Sequence, residues 1–352
     1  MKVGFLLPTI SLAGGVKSTF ELASRLQKRG HQVRIYHSKY KNVFRRSGNL
    51  KANVRNILNP LLGKNTTFDY GTSVEVIQVP VFSDRHVDDG DVVIGTWWED
   101  IYPMMKLSPS KGRKYHFIRH YEVWGGAAHK VDRVYRFRNN KIVISTWLKE
   151  LIEDKFHQPV SFCPNGIERE RFFASLRTDV SGKGKVTIGT LYRSPTWKGG
   201  DDAFEVLRRV WERYGELVEI VIFGEELKQP LPFPFESYVS PFGEKIRRIY
   251  DNLDIFLFTS HAEGFGNPPL EAMACRTAVV STRVGGVPDY GIHGQTVLLT
   301  EPKDLDELTR QVSLLVENQS LRYTLSTEAE EASKEFTWDK SVEILERILR
   351  SN

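Results

Sequence analysis

Between residues 260 and 274 the chain reads Ser-His-Ala-Glu-Gly-Phe-Gly-Asn-Pro-Pro-Leu-Glu-Ala-Met-Ala. Glu263 and Glu271 stand eight positions apart around a glycine turn. Gly264 and Gly266 allow backbone amides to turn toward a ligand, and Pro268 and Pro269 suit the first turn of a helix. Glu271 then falls about one turn into that helix, facing the same ligand. Carboxylates are poor company for phosphates but good acceptors for sugar hydroxyls. A capped helix start with Glu271 in water would use some of these residues without needing them all.

A second group is Arg193-Ser-Pro-Thr-Trp-Lys198-Gly-Gly, which follows an apolar strand pattern. A loop at the carboxyl end of a parallel strand is where α/β sheets bind ligands. Two cations there suit a diphosphate, while two solvated loop charges are the plainer reading. Gly14 and Gly15, between the first strand and first helix, could bring amides to a phosphate at a helix N-terminus. The same pair would serve an ordinary tight turn. Walker A requires a glycine directly before the lysine, and Lys17 has none; a G-x-G-x-x-G fingerprint is also missing. In Phe117-Ile-Arg119-His120-Tyr121-Glu122, His120 could polarise a substrate hydroxyl or phosphate, or be structural. Trp97 and Trp98 could stack on a sugar or simply pack.

Residues 37–67 carry Lys39, Lys41, Arg45, Arg46, Lys51, Arg55 and Lys64 and no acid. Val43, Phe44, Leu50, Val54 and Ile57 are interleaved. The stretch suits an anionic membrane surface, an anionic acceptor or a solvated loop. Asp88-Asp89-Gly-Asp91 precedes a strand, the wrong side for a ligand, and no metal-binding cluster is read from the chain.

The elements that must position these groups alternate. Strand patterns at Val3–Pro8, Val33–Tyr36, Val74–Val79, Val92–Gly95, His116–Ile118 and Ile142–Ser145 are separated by helix-length segments. A helix is expected over Val16–Arg29, stopped by Gly30. After Pro164-Asn165-Gly166 the alternation restarts: Val186–Leu191, a helix over Gly200–Tyr214, Val218–Phe223, a helix near Glu244–Asn252, Ile255–Thr259, a helix from Pro268, and Ala278–Ser281. An amphipathic helix closes the pattern at Trp338–Leu349. Two doubly wound α/β halves with parallel sheets are expected, as 352 residues also suggest. No apolar run reaches the length of a membrane span, and Val3–Pro8 reads as a strand rather than a leader. The net charge of +5 favours anionic partners. Cys163 and Cys275 read as free thiols in a reducing compartment.

Taken in order, the motifs make the chain resemble glycosyltransferase family 4, over nearly its whole length. Gly14-Gly15-Val16 matches the family's first glycine loop. Pro164-Asn165-Gly166-Ile167 with Phe172 matches its interdomain signature. Gly189, Arg193 and Lys198-Gly199 match its phosphate-binding pair. Glu263-Gly-Phe-Gly and Glu271-Ala-Met-Ala match its E-x7-E motif, Gly285-Gly286-Val-Pro-Asp289 its G-G-x-x-E, and Phe336-Thr-Trp-Asp339 its F-[ST]-W. Departures are Asp289 for glutamate, Glu168 for aspartate, Arg276 where a glycine is usual and Ala278 where a proline is usual.

The resemblance implies the GT-B fold: two Rossmann-like domains facing across a cleft, with a C-terminal helix returning to the first. It implies an N-terminal acceptor-side domain of 1–168 plus 337–352 and a nucleotide-sugar domain of 169–336. It implies a retaining glycosyltransferase using a nucleotide diphospho-sugar and a glycan, lipid-linked or small-molecule acceptor. Such an enzyme would need no metal or other cofactor and no nucleic-acid partner, and would be cytoplasmic or peripheral at the inner membrane face. Arg193 and Lys198 would hold the diphosphate, Glu271 the ribose hydroxyls and Glu263 the donor sugar. Gly264, Phe265, Gly266 and Asn267 would line the donor, Gly14 and Gly15 would approach its diphosphate from the other domain, and His120 would sit near the reacting centre. A non-catalytic sugar-nucleotide or membrane-surface binding protein, or a GT-B epimerase, are the alternatives.

Overall fold

The computed structural model describes residues 1–10, 13–39, 70–175 and 184–351. Most of the basic stretch 37–67 lies outside them, so its expected membrane or acceptor role is not addressed by the structure.

The chain divides into two compact units, Met1–Pro164 with Trp338–Asn352, and Asn165–Thr337. The sequence-expected break at 168/169 falls four residues later than this division. Residues 165–168 stay with the second unit because Asn165 Nδ2 donates to Asn267 Oδ1 (3.1 Å) and Ile167 N donates to Phe336 O (3.0 Å).

In unit 1 the elements are β1 (Lys2–Leu7), α1 (Gly14–Lys28), β2 (Gln32–Ser38), β3 (Glu75–Val79), β4 (Val92–Gly95), α2 (Trp98–Lys106), β5 (Arg113–Ile118), α3 (Ala128–Tyr135), β6 (Asn140–Val143), α4 (Thr146–Phe156) and β7 (Ser161–Phe162). Among the described residues its sheet has the order β3-β2-β1-β4-β5-β6-β7, parallel throughout. α1 buries Val16, Phe20, Leu22, Ala23 and Leu26, one face of a 3.6-residue period, and Gly30 at φ +87° ends it. The aspartates before β4 are structural. Asp88 accepts from the Tyr36 hydroxyl (2.6 Å), Asp89 pairs with Lys111 (2.7 Å), and Asp91 accepts from Lys2 N (2.7 Å).

In unit 2 they are β8 (Val186–Tyr192), α5 (Gly200–Tyr214), β9 (Val218–Gly224), β10 (Glu236–Val239), α6 (Glu244–Asn252), β11 (Ile255–Phe258), α7 (Asn267–Ala274), β12 (Ala278–Thr282), α8 (Val287–Tyr290), β13 (Leu298–Thr300), α9 (Leu305–Glu317) and α10 (Gln319–Ser333). Their parallel sheet runs β10-β9-β8-β11-β12-β13. Ile255, Phe256 and Leu257 are fully buried, as a central strand covered on both faces requires. Each such side chain contributes roughly 1.5–3 kcal/mol of burial. α11 (Trp338–Ser351) then belongs to unit 1, where Val342, Leu345 and Leu349 are buried. Glu346 accepts from Arg29 Nε (2.7 Å) and lies 3.1 Å from His31 Nε2, fastening α11 beside α1.

Two details of the sequence reading gain a physical basis. Arg276 adopts φ +56°, the left-handed region, which is why glycine suits that position. Its Nε forms an ion pair with Glu330 at 2.9 Å. Both cysteines are free and buried, and burial pushes the Cys163 thiol up to about 12. Among the described residues no helix is long and apolar enough to cross a membrane.

Candidate functional site

Each sheet reverses its strand order once beside its first strand, at β1/β4 in unit 1 and β8/β11 in unit 2. Such a switch point leaves a crevice outside the strands' carboxyl ends. Arg193, Lys198, Glu263, His120 and the Gly14–Gly15 pair all fall in loops or helix starts that follow strand carboxyl ends.

In unit 2, β8 runs into Arg193 and a 3-10 turn at Thr196–Lys198, and enters α5 through Gly199. β11 runs into Thr259–Gly266 and then α7. The two loops are laced together. Thr259 Oγ1 donates to Gly199 O (2.7 Å), His261 N to Trp197 O (2.7 Å), and Ser260 Oγ to Trp197 O (3.1 Å). The His261 ring meets Asp202, in the first turn of α5, at 2.7 Å. Gly199 sits at φ +67°, and a Cβ there would overlap the Thr259 carbonyl oxygen, so only glycine fits this crossing.

The lacing places Lys198 Nζ 2.7 Å from Glu263 Oε1, with the side chains 30% and 12% exposed. Glu263 is backed by Gly285, where a Cβ would stand 2.7 Å from the Glu263 carbonyl oxygen. Arg193 Nη1 lies 3.7 Å from Glu225, just past β9. Hydrogen bonds from Ser194, with the Arg193 charge, hold the Glu225 carboxyl below the usual carboxylate range. Glu271 accepts from the Tyr250 hydroxyl at 3.3 Å. Burial, and then the neighbouring Glu271, push that phenol well above its ordinary value, so it remains a donor.

Gly264, Phe265 and Gly266 are buried. The Phe265 ring wedges between Tyr290 (centroids 5.4 Å) and Phe336 (6.4 Å), so its backbone rather than its ring is left to meet a ligand. Gly266 caps α7 at φ +87°, and its carbonyl accepts from the Tyr290 hydroxyl. The structure thus gathers Lys198, Glu263 and the α7 start around one strand end, with Arg193 just after β8 and Glu271 within α7.

In unit 1, Gly14 and Gly15 open α1 and are exposed. A Cβ on Gly15 would come within 3.3 Å of Arg119 Cδ. Arg119 is buried, spans toward α1 to donate to Thr19 Oγ1 (3.3 Å), and lies over the Phe117 ring. Burial lowers its guanidinium to about 10, which leaves it a cation at neutral pH behind the glycine turn. His120 has Nδ1 3.1 Å from Tyr121 O, and its ring meets Trp124 and Trp147 edge-on. The buried Glu122 carboxylate accepts from Trp98 N (2.9 Å), anchoring the start of α2. Burial raises its pKa well above the carboxylate range, against the pull of that N–H.

Glu225, Tyr250 and the His261–Asp202 pair were not found from sequence, and Arg119 was seen there without a role. Their signal is three-dimensional: each becomes notable only through the strand end or loop it touches.

Residues 183–318 match the family model described as Glycosyl transferases group 1. The chain is 41% identical over 83 residues to an uncharacterized glycosyltransferase, MJ1178, of Methanocaldococcus jannaschii, 24% of each chain. It is 36% identical over 76 residues to the capsular polysaccharide biosynthesis glycosyltransferase CapM of Staphylococcus aureus, 22% of this chain and 20% of that one. The matching stretches therefore span a quarter or less of these relatives' length. Among solved structures, Anabaena HepE in complex with UDP and glucose superposes with a TM-score of 0.74 at 16% identity, covering 100% of both chains. The fold is accordingly GT-B, with two parallel-sheet Rossmann-like domains.

Proposed function

We propose that the chain is a retaining glycosyltransferase that moves a sugar from a nucleoside diphosphate-sugar to an acceptor hydroxyl in glycan or glycoconjugate synthesis. The observation that carries this reading is the Lys198–Glu263 pair at the carboxyl ends of β8 and β11. A cation and a hydroxyl acceptor stand side by side where a sugar and its phosphate would meet. The match of 183–318 to group 1 glycosyltransferases and the similarity to the glycosyltransferases MJ1178 and CapM support it.

In this reading Lys198 and Arg193 neutralise the diphosphate as the glycosidic bond breaks, and the N-termini of α5 and α7 add partial positive charge. Those groups supply the electrostatic part that a divalent metal supplies elsewhere, so no metal is assigned to the reaction. Glu263 accepts from the sugar's hydroxyls, and Glu271, held by Tyr250, from the ribose. Amides of Gly264–Gly266 complete the donor contacts. The leaving phosphate takes the acceptor proton on the same face, which gives retention as the family resemblance implies. His120 serves the acceptor hydroxyl in unit 1.

The test is a turnover assay with a panel of nucleotide sugars and saccharide acceptors. Nucleoside diphosphate should appear with acceptor present, and the product should keep the donor's anomeric configuration. Tight donor binding without turnover across the panel would leave a binding protein instead, and an inverted product would refute retention.

A further inference from the structure

Four of the seven tryptophans fall at positions 97, 98, 124 and 147, all in unit 1. Trp98 is a core residue, 5% exposed; Gly126 leaves room for its indole, and Gly125 for the indoles of both Trp97 and Trp98. The other three behave differently. Trp97 follows β4, Trp124 follows β5, and Trp147 opens α4 after β6, so each leaves the carboxyl end of one of three adjacent strands. Two of them flank His120: Trp124 at 6.2 Å and 80°, Trp147 at 5.8 Å and 77°. Trp97 and Trp124 stand 5.4 Å apart and are tilted by 55°, forming an open wedge rather than a stack. Trp124 is 53% exposed, an unusual state for the largest side chain.

We propose that Trp97, Trp124 and Trp147 form a platform for a pyranose ring of the acceptor, with His120 at its edge. This deepens the glycosyl-transfer reading and rests on it. A pyranose presents a face of C–H bonds and a rim of hydroxyls. The face suits an indole, whose π surface is electron-rich. The rim needs acceptors and donors beside the rings, and the structure supplies them in His120 and Glu99, whose Oε2 already accepts from Trp97 Nε1 at 3.2 Å. A few polar groups among aromatic walls at the ligand-binding end of a parallel sheet is the ordinary composition of a small-molecule site. Mere packing explains Trp98, but it does not explain two indoles left partly open on either side of one imidazole with a third tilted against Trp124. A purely apolar ligand would leave Glu99 and His120 without purpose.

The experiment uses the full chain and four probes: the methyl pyranosides of glucose, galactose, mannose and N-acetylglucosamine. Saturation-transfer NMR should show saturation of ring C–H protons for at least one of them. Trp124→Ala and Trp147→Ala should each weaken its binding about five- to tenfold, in line with loss of one aromatic contact. Trp124→Phe should retain most of it. Thermal stabilisation by UDP, ADP or GDP should be unchanged in all three variants. No ring saturation with any probe, equal binding by Trp124→Ala, or binding of octyl but not methyl glucoside would each overturn the platform. If an alanine variant fails to fold, the unaltered protein's saturation pattern and Trp124→Phe decide. Diphosphate binding without saccharide binding removes the platform alone; no stabilisation by any diphosphate removes the glycosyl-transfer reading itself.

Discussion

Replacing Glu263 by glutamine should tighten binding of a bare nucleoside diphosphate while slowing sugar transfer. Lys198 is committed to Glu263 at 2.7 Å before any donor arrives. At an effective dielectric of about 20, unit charges at that 2.7 Å separation attract by roughly 6 kcal/mol. Most of this is offset by desolvation, because the side chains are 30% and 12% exposed. The net worth of such a charge-assisted bond is about 1.5–3 kcal/mol. A diphosphate that recruits Lys198 must replace that bond. The amide of Glu263→Gln holds the lysine more weakly, so the diphosphate recovers about 1–1.5 kcal/mol, or roughly five- to tenfold in Kd. A nucleoside diphosphate lacks the transferred sugar, whose hydroxyls are the ones assigned to Glu263, so it loses nothing in exchange. The sugar-bearing donor does lose a charged acceptor, and kcat/KM should fall by about 10- to 100-fold. Calorimetric titration with UDP, ADP and GDP, beside steady-state turnover, reads both effects. Weaker diphosphate binding by Glu263→Gln would refute the idea that the pair competes with the donor for Lys198.

Two further outcomes are expected. Gly199→Ala combines a left-handed backbone with overlap on the Thr259 carbonyl, so it should cost at least ~3 kcal/mol in a thermal or urea melt; a change under 1 kcal/mol would mean the loop crossing is not fixed. Glu346 bears on acid stability. Its hydrogen bond from Arg29, and then that from His31, draw its carboxyl down to about 2. A depressed folded pKa gives stability that is complete above the ordinary carboxylate value and is lost as pH falls through the folded one. Glu346→Gln should therefore lower stability by about 2 kcal/mol at pH 7 and flatten the loss between roughly pH 4.5 and 2; an unchanged acid limb would exclude Glu346 as its source.

Much of the frame was legible because it rests on local pattern. The helices Gly200–Tyr214 and Glu244–Asn252 and the strand Val92–Gly95 end where their apolar periodicity does. β10 escaped notice because Glu236, Ser237, Tyr238 and Val239 are all exposed at a sheet edge and carry no buried signature. β5 was read short because its first residues, Arg113 and Lys114, are charged. The site shows the same divide. Lys198, Glu263 and Glu271 announce themselves through glycines and prolines whose reasons are local. Arg119 reaches Gly15 only because strand order brings the end of β5 near α1, and Glu225 meets Arg193 only because β9 lies beside β8. Pairings of that kind depend on topology, which no short window of residues contains.

The place of α11 has a consequence for synthesis. Domains ordinarily fold in the order in which they are made. Here residues 1–164 are made first but lack the helix that covers α1, and Arg29, His31 and the Cys163 thiol await Glu346 and Ser341. Unit 2 is entire once Thr337 has been added, its two ends already joined through Ile167 and Thr337. The later-made unit is thus the first whose whole chain has been made. The earlier one stays unfinished for the whole of that interval, its α1 face still without the helix that buries it.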